Sequence, residues 1–230
     1  MVTILDMRSE IGKDESDWVD RVWTWVHAHV KPGQRVFVPA GGTPSPMYRQ
    51  WVKQPSDLLK SLRFVQIDDI VNGPQRGAFK QFFHDEMNPY LDQFEWIEDA
   101  DQRADVAILG VGVNGHVAFH EPGLPRSFFG GCVALSAETR GYLNLSDPTW
   151  GLTYGAASFI QCQKILVLAR GERKKKIMQQ ALSDKTLPIS WIIEHRDVTL
   201  ISDFDFFLQA PGVSSRENKK GPAVEPFVTK

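Results

Sequence analysis

The sequence predicts an α/β fold: one domain built on a doubly wound, mostly parallel sheet with helices on both faces, Rossmann-like in layout. Short unbroken apolar runs at residues 106–109 (VAIL) and 164–169 (KILVLA) suit strands covered on both faces. Between such runs lie segments whose apolar residues recur at helical spacing, so strand and helix alternate along the chain. With 230 residues, 42% of them hydrophobic and 23% charged, the chain can bury one sizeable core. The domain is expected over residues 1–208. Residues 209–230, polar with glycine and proline, read as a poorly ordered tail.

The elements follow in order. Residues 16–30 form an amphipathic helix: Ser16 caps it, Asp17 and Asp20 suit the positive end of its dipole, and Val19, Val22, Trp23, Val26 and Val30 recur on one face. Pro32-Gly33 stops it. Residues 35–39 are a buried strand, 40–44 a glycine turn, and a helix begins at Ser45. A strand, a Gly-Gly turn and a helix start make a ready anion site, since glycine lets backbone N–H groups approach an oxyanion. The same pattern also serves as a plain tight connection. Residues 63–67 are the next strand, ending in Asp68-Asp69; adjacent acids at that edge point to chemistry or to a helix cap. Asn72-Gly73-Pro74 turns the chain into a helix over 77–87, with Phe79, Phe82 and Phe83 inward, and 89–101 is a polar connection.

Beyond the strand at 106–109, residues 125–131 read as a mobile surface flap. Residues 132–135 form a short strand leading into Ser136 to Arg140. A helix is expected over 153–159, a strand over 164–169, a helix over 172–182, a short helix over 189–194 and a last strand over 198–201. The helix at 172 carries Arg173, Lys174, Lys175 and Lys176 in its first turns, where cations oppose the dipole unless an anion lies nearby.

A net charge of −2 offers no basic excess, which argues against nucleic acid as a partner. Cys132 and Cys162 form no metal-like spacing and read as reduced core residues. No run approaches the ~18 apolar residues of a membrane span, and the first residues show no basic region followed by an apolar one. A cytoplasmic protein is expected.

The stretch from Asp105 to Gly123 concentrates the chemistry. Gly110 to Gly115 spells G-x-G-x-x-G, but a dinucleotide site needs a helix opening there, and Pro122 cuts one off. Zinc on His116 and His120 also needs a helix, and no third ligand is evident. A Ser or Cys nucleophile lacks an elbow motif. Acid–base work is left: His116 can take and give a proton, Glu121 can set its tautomer or stabilise its cation, and Asn114 can hydrogen-bond either. Asp68, at another strand end, is a second base facing the same crevice. Beside a phosphate-ready glycine turn, this set suits proton transfer on a sugar phosphate.

The segments PAGGTP (39–44), the strand ending in Asp68-Asp69, and GVGVNGHVAFHEPG (110–123) resemble the glucosamine-6-phosphate deaminase (isomerase) family, in the superfamily shared with 6-phosphogluconolactonases. The resemblance runs from about residue 36 to 201, and N-G-H-V-A-F-x-E-P-G is specific to the deaminase side. It implies that Asp68 moves a proton between C2 and C1 through an enediol-type intermediate. It implies that His116 opens the sugar ring, tuned by Glu121 and Asn114. Gly41, Gly42 and Thr43 resemble the phosphate loop, Lys174 the phosphate-binding lysine of a Gly-x-x-Lys segment, and Asp69 and Arg140 are further candidates for substrate binding. No cofactor or metal is implied. The expected partner is a small-molecule sugar phosphate, with no nucleic acid and no membrane, on a monomer or small homo-oligomer.

The implied reaction converts glucosamine or galactosamine 6-phosphate to a ketohexose 6-phosphate and ammonia. Lactone hydrolysis and non-catalytic sugar-phosphate sensing are the rival readings. The chain departs from the family at Ala40 (threonine), at Leu145 (a second phosphate arginine), at Asp68-Asp69-Ile70 (Asp-Glu-Tyr) and at His120 (asparagine).

Overall fold

A computed structural model describes residues 7–99 and 103–205. In chain order its first half holds β1 (Arg8–Ile11), α1 (Glu15–His29), β2 (Arg35–Val38), α2 (Ser45–Lys53), α3 (Asp57–Ser61), β3 (Arg63–Gln66), β4 (Asp68–Ile70), α4 (Ala78–Glu86) and β5 (Phe94–Glu95). The second half holds β6 (Val106–Gly110), β7 (Gly130–Ala134), α5 (Ala137–Leu143), β8 (Trp150–Tyr154), α6 (Ala156–Phe159), β9 (Lys164–Ala169), α7 (Glu172–Gln180), α8 (Pro188–Ile192) and β10 (Val198–Ser202).

Seven strands form a parallel sheet in the order β1-β10-β9-β6-β2-β3-β5. Alternation along β6 explains why it is double-faced. Ala107 and Leu109 join a core with Phe37, Val167 and Phe159, while Val106 and Ile108 join one with Trp18, Trp51 and Phe64. The doubly wound layout expected from the apolar runs is the observed one.

Several local expectations are corrected. Helix α1 starts at Glu15, one residue early, because Asp14 rather than Ser16 caps it: the Asp17 N–H donates to Asp14 Oδ1 at 2.9 Å. Its buried face adds Trp18 and Trp25 to Val19, Val22 and Val26. The polar connection after α4 holds a 3-10 turn at Asn88–Gln93 and the short β5, which pairs with β3; its last two residues lie outside the described range, as does the expected tail. Residues 150–154, partly read as helix, are instead β8. Trp150, Leu152 and Tyr154 alternate with Gly151 and Thr153, and antiparallel neighbours on both sides settle the period at two. Only Ala156–Phe159 remains helical.

β4, β8 and β7 thus make a second, antiparallel sheet of three strands. The expected flap at 125–131 is pinned to it: Gly155 N–H and Ser158 Oγ–H both donate to Phe129 O at 2.7 Å. Of the two cysteines, both free, Cys162 is buried but Cys132 is exposed, because β7 turns Val133 inward instead. Among the described residues no helix is long and apolar enough to cross a membrane.

Asp14→Ala removes the α1 cap and should cost about 1 kcal/mol. Thermal unfolding should show a drop of roughly 2–4 °C with enzymatic activity intact; an unchanged Tm would count against the cap.

Candidate active site

In the sheet order, β2 leads to β3 and β5 on one side and β6 leads to β9 and β10 on the other, so a crevice opens beyond their carboxyl ends. The cleft there is walled by Gly41, Gly42 and Thr43 after β2, Asp68 on β4, Gly112 and His116 after β6, and Lys174 on α7.

Asp68 opens β4 with only 5% of its surface exposed. Burial first, and the neighbouring Asp69 second, push its carboxyl well above the usual carboxylate range. Asp69 faces the other way. Its Oδ1 accepts from the N–H groups of Ile70 at 2.7 Å and Phe79 at 3.0 Å, and its Oδ2 from Lys80 N–H and Gln66 Nε2, both at 3.0 Å. These bonds cap α4, whose own N-cap is Gly77 and has no side chain to offer. Asp69, a candidate for substrate binding, has its carboxylate engaged by these four donors.

The loop after β6 folds back through Gly112 N–H donating to His116 O at 2.8 Å. A Cβ on Gly112 would sit 2.3 Å from the imidazole, so only glycine lets the ring lie against this backbone. His116 Nδ1 pairs with Thr139 Oγ1 at 3.2 Å and stands 3.7 Å from Glu121 Oε2. Asn114 Nδ2 donates to Glu121 Oε2 at 2.9 Å, Ser136 N–H donates to Oε1 at 3.3 Å, and Asn114 Oδ1 accepts from His116 N–H at 3.2 Å. Burial pushes the Glu121 carboxyl up, but His116, Thr139 and Asn114 outweigh it and hold the group at about 2. Glu121 is therefore held as a carboxylate around neutral pH. Asn114 and Glu121 stand behind His116, outside the cleft wall.

His120 is separate from this set. Its Nδ1 accepts from Ala156 N–H at 2.9 Å, which leaves Nε2 to donate to Leu124 O at 3.4 Å, and the ring is fully buried. It ties the loop to α6, and burial lowers its pKa.

At the anion end, Gly41 has φ +110°, a conformation costly for any side chain. Helix α2 has no side-chain cap, which leaves its first N–H groups open beside this turn. Lys174 is buried, its Nζ donating to Val111 O and lying 5.5 Å from the Tyr142 ring centroid; burial lowers its pKa to about 8. Arg140 is not on the cleft wall. Its guanidinium donates to Leu135 O and pairs with Asp147 Oδ1 at 3.2 Å. Two residues that carried no expectation stand in the site, Thr139 behind His116 and Tyr142 over Lys174. Ser136-x-x-Thr139 could be read as a helix cap, but nothing local to it indicates a histidine partner.

Gly112→Ala should leave the far-UV spectrum unchanged while shifting the His116 ring resonances in nitrogen-edited NMR spectra. Unmoved resonances would refute the close approach.

Residues 63–201 match the sequence model of the glucosamine-6-phosphate isomerases/6-phosphogluconolactonase family. The glucosamine-6-phosphate deaminase of Lactobacillus acidophilus is 30% identical over 206 residues, covering 76% of this chain and 85% of that protein. The Streptococcus pneumoniae glucosamine-6-phosphate deaminase is 27% identical over 199 residues, covering 74% and 85%. Among solved structures, a monomeric glucosamine-6-phosphate deaminase superposes with a TM-score of 0.72 at 22% identity, covering 85% of this chain and 97% of its own. The 6-phosphogluconolactonase of Trypanosoma brucei gives 0.68 at 15% identity, covering 85% and 95%. The two structural likenesses speak for the fold. With a family match reaching from β3 into β10 and a Lactobacillus relative spanning most of its length, this chain belongs to the enzyme family of glucosamine-6-phosphate isomerases and 6-phosphogluconolactonases.

Proposed function

We propose that the protein is an isomerase/deaminase that converts a 2-amino-2-deoxyhexose 6-phosphate, glucosamine or galactosamine 6-phosphate, to a ketohexose 6-phosphate and ammonia. One observation carries the reading: a buried carboxyl of raised pKa, Asp68, shares a cleft with a histidine backed by a glutamate of lowered pKa. A base of raised pKa takes a carbon-bound proton more readily, and a carboxylate behind an imidazole stabilises its cation.

In this mechanism His116 moves the proton that opens the ring, exposing the C1 carbonyl. Asp68 then takes the C2 proton, and the electron pair moves onto the carbonyl oxygen to give an enediol-type intermediate bearing the amine. Returning the proton at C1 leaves an imine at C2. Water adds there and ammonia departs. The Gly41-Gly42-Thr43 turn, the open N–H groups of α2 and Lys174 hold the phosphate. Neither Leu145 nor Arg140 adds a cation to that end. The reading fits a cytoplasmic enzyme, monomeric or in a small homo-oligomer. Lactone hydrolysis is the competing reading, supported by the fold likeness to the Trypanosoma brucei enzyme. Ammonia release from hexosamine 6-phosphates against acid release from 6-phosphogluconolactone separates the two.

Asp68→Asn should lower turnover and C2 proton exchange by about 10²–10⁴-fold with substrate binding largely retained. Wild-type exchange in the variant would sink the mechanism. The folded-state pKa of Asp68 is raised, so its ionised form destabilises the fold once pH exceeds the ordinary carboxylate value. The variant should therefore gain Tm over wild type as pH rises through that range, and gain nothing below it.

Lys174→Gln should raise KM for phosphorylated substrates by about tenfold or more while kcat changes little, as expected for lost uniform binding. Because the Lys174 pKa is lowered to about 8, wild-type KM should climb as pH rises past that value and the lysine discharges. A flat KM between pH 7 and about 9 would exclude the lysine from phosphate binding.

A further inference from the structure

We infer that Thr139 is a positioning residue whose hydroxyl takes a hydrogen bond from the His116 imidazole beside the Glu121 carboxylate, fixing the ring's orientation and its Nδ1–H tautomer. The inference rests on the acid–base reading of the cleft given above.

The geometry makes the direct contact too long. His116 Nδ1 and Glu121 Oε2 are 3.7 Å apart, beyond hydrogen-bond range, whereas Nδ1 and Thr139 Oγ1 are 3.2 Å apart. Both Glu121 oxygens already accept a bond, Oε2 from Asn114 Nδ2 and Oε1 from Ser136 N–H. Thr139 is itself only 1% exposed, so its hydroxyl has no water to turn to.

The carboxylate sets the direction: an anion 3.7 Å from Nδ1 favours a proton on that nitrogen. Ser136 Oγ accepts from Thr139 N–H at 3.1 Å and donates its own proton to Thr139 Oγ1 at 3.1 Å. A hydroxyl has one donor and two acceptor positions. Thr139 Oγ1 thus keeps one acceptor position, which takes the Nδ1–H of His116 at 3.2 Å. In that arrangement Nε2 carries no proton, and among the described residues no hydrogen bond engages it. It is the nitrogen free to act on a ligand. The charged groups around the imidazole are Glu121 on its own loop, with Asp68 on β4 and Lys174 on α7 along the same cleft.

Thr139→Val and Thr139→Ser test this. With glucosamine 6-phosphate as substrate, the valine variant should lose at least about tenfold in kcat, keep its KM, and shift the limb of the kcat–pH profile that belongs to His116. The serine variant should restore kcat and the profile. Nitrogen-edited NMR of the His116 ring should show Nδ1–H in wild type and in the serine variant, and lose that preference in the valine variant. A valine variant with wild-type kcat and pH profile, or a wild-type ring protonated at Nε2, overturns the inference. If wild-type protein releases no ammonia from any hexosamine 6-phosphate, the proposed reaction fails, and the ring tautomer in the three proteins still decides the role of Thr139. If the valine variant does not fold, the tautomer in wild type and the serine variant decides it.

Discussion

A carboxylate can be taken out of water and stay ionised only where donors replace the water it has lost, and Glu121 depends on that replacement. Its two oxygens receive Asn114 Nδ2 and Ser136 N–H, and an imidazole stands behind them. Those donors come from separate pieces of chain, the glycine loop after β6 and the joint before α5. Moving either piece would orphan a buried charge, which is far more costly than breaking a surface contact. The ion therefore does mechanical work, locking the loop to the helix, before it does any chemistry. Gly112 completes the arrangement by leaving room for the imidazole ring.

The second carboxylate of the site belongs to different architecture. The parallel sheet supplies a crevice, but Asp68 stands on the small antiparallel sheet, in register with Thr153 of β8. Thr153 Oγ1 also accepts from Phe119 N–H at 2.9 Å, in the same loop that carries His116. One threonine thus ties Asp68 and the histidine loop to the same strand, so a strand pairing helps set their separation across the cleft.

The central strands were legible because β6, β9 and β10 are almost continuously apolar, as double coverage requires. The edges were not. β1 reads RSEI and β5 is two residues long, so each exists only through the neighbour it pairs with. The β8 sequence fits two periods, and its strand partners, far away in the chain, decide between them. In the site, the glycine loop and its acid–base set announced themselves by residue type, and the structure brings Asp68, His116, Lys174 and the Gly41–Thr43 turn to one cleft with Asn114 and Glu121 behind it. The place of Arg140, off the cleft wall, could not be read, because its partners, Leu135 O and Asp147, are fixed by a turn with no readable period. Thr139 stayed invisible because its importance lies wholly in where α5 docks.

The pair Asp68-Asp69 carries a consequence for how this chain can vary. Side chains on a strand alternate between faces, so one acid looks into the cleft and the next holds α4. Only Ile67 separates the end of β3 from the start of β4. That single-residue joint sets the parity of everything after it. An insertion or deletion there would exchange the two aspartates, sending the cap into the cleft and the base to the helix, with every residue type preserved. The number of residues at this joint, as much as their identity, holds each acid to its face.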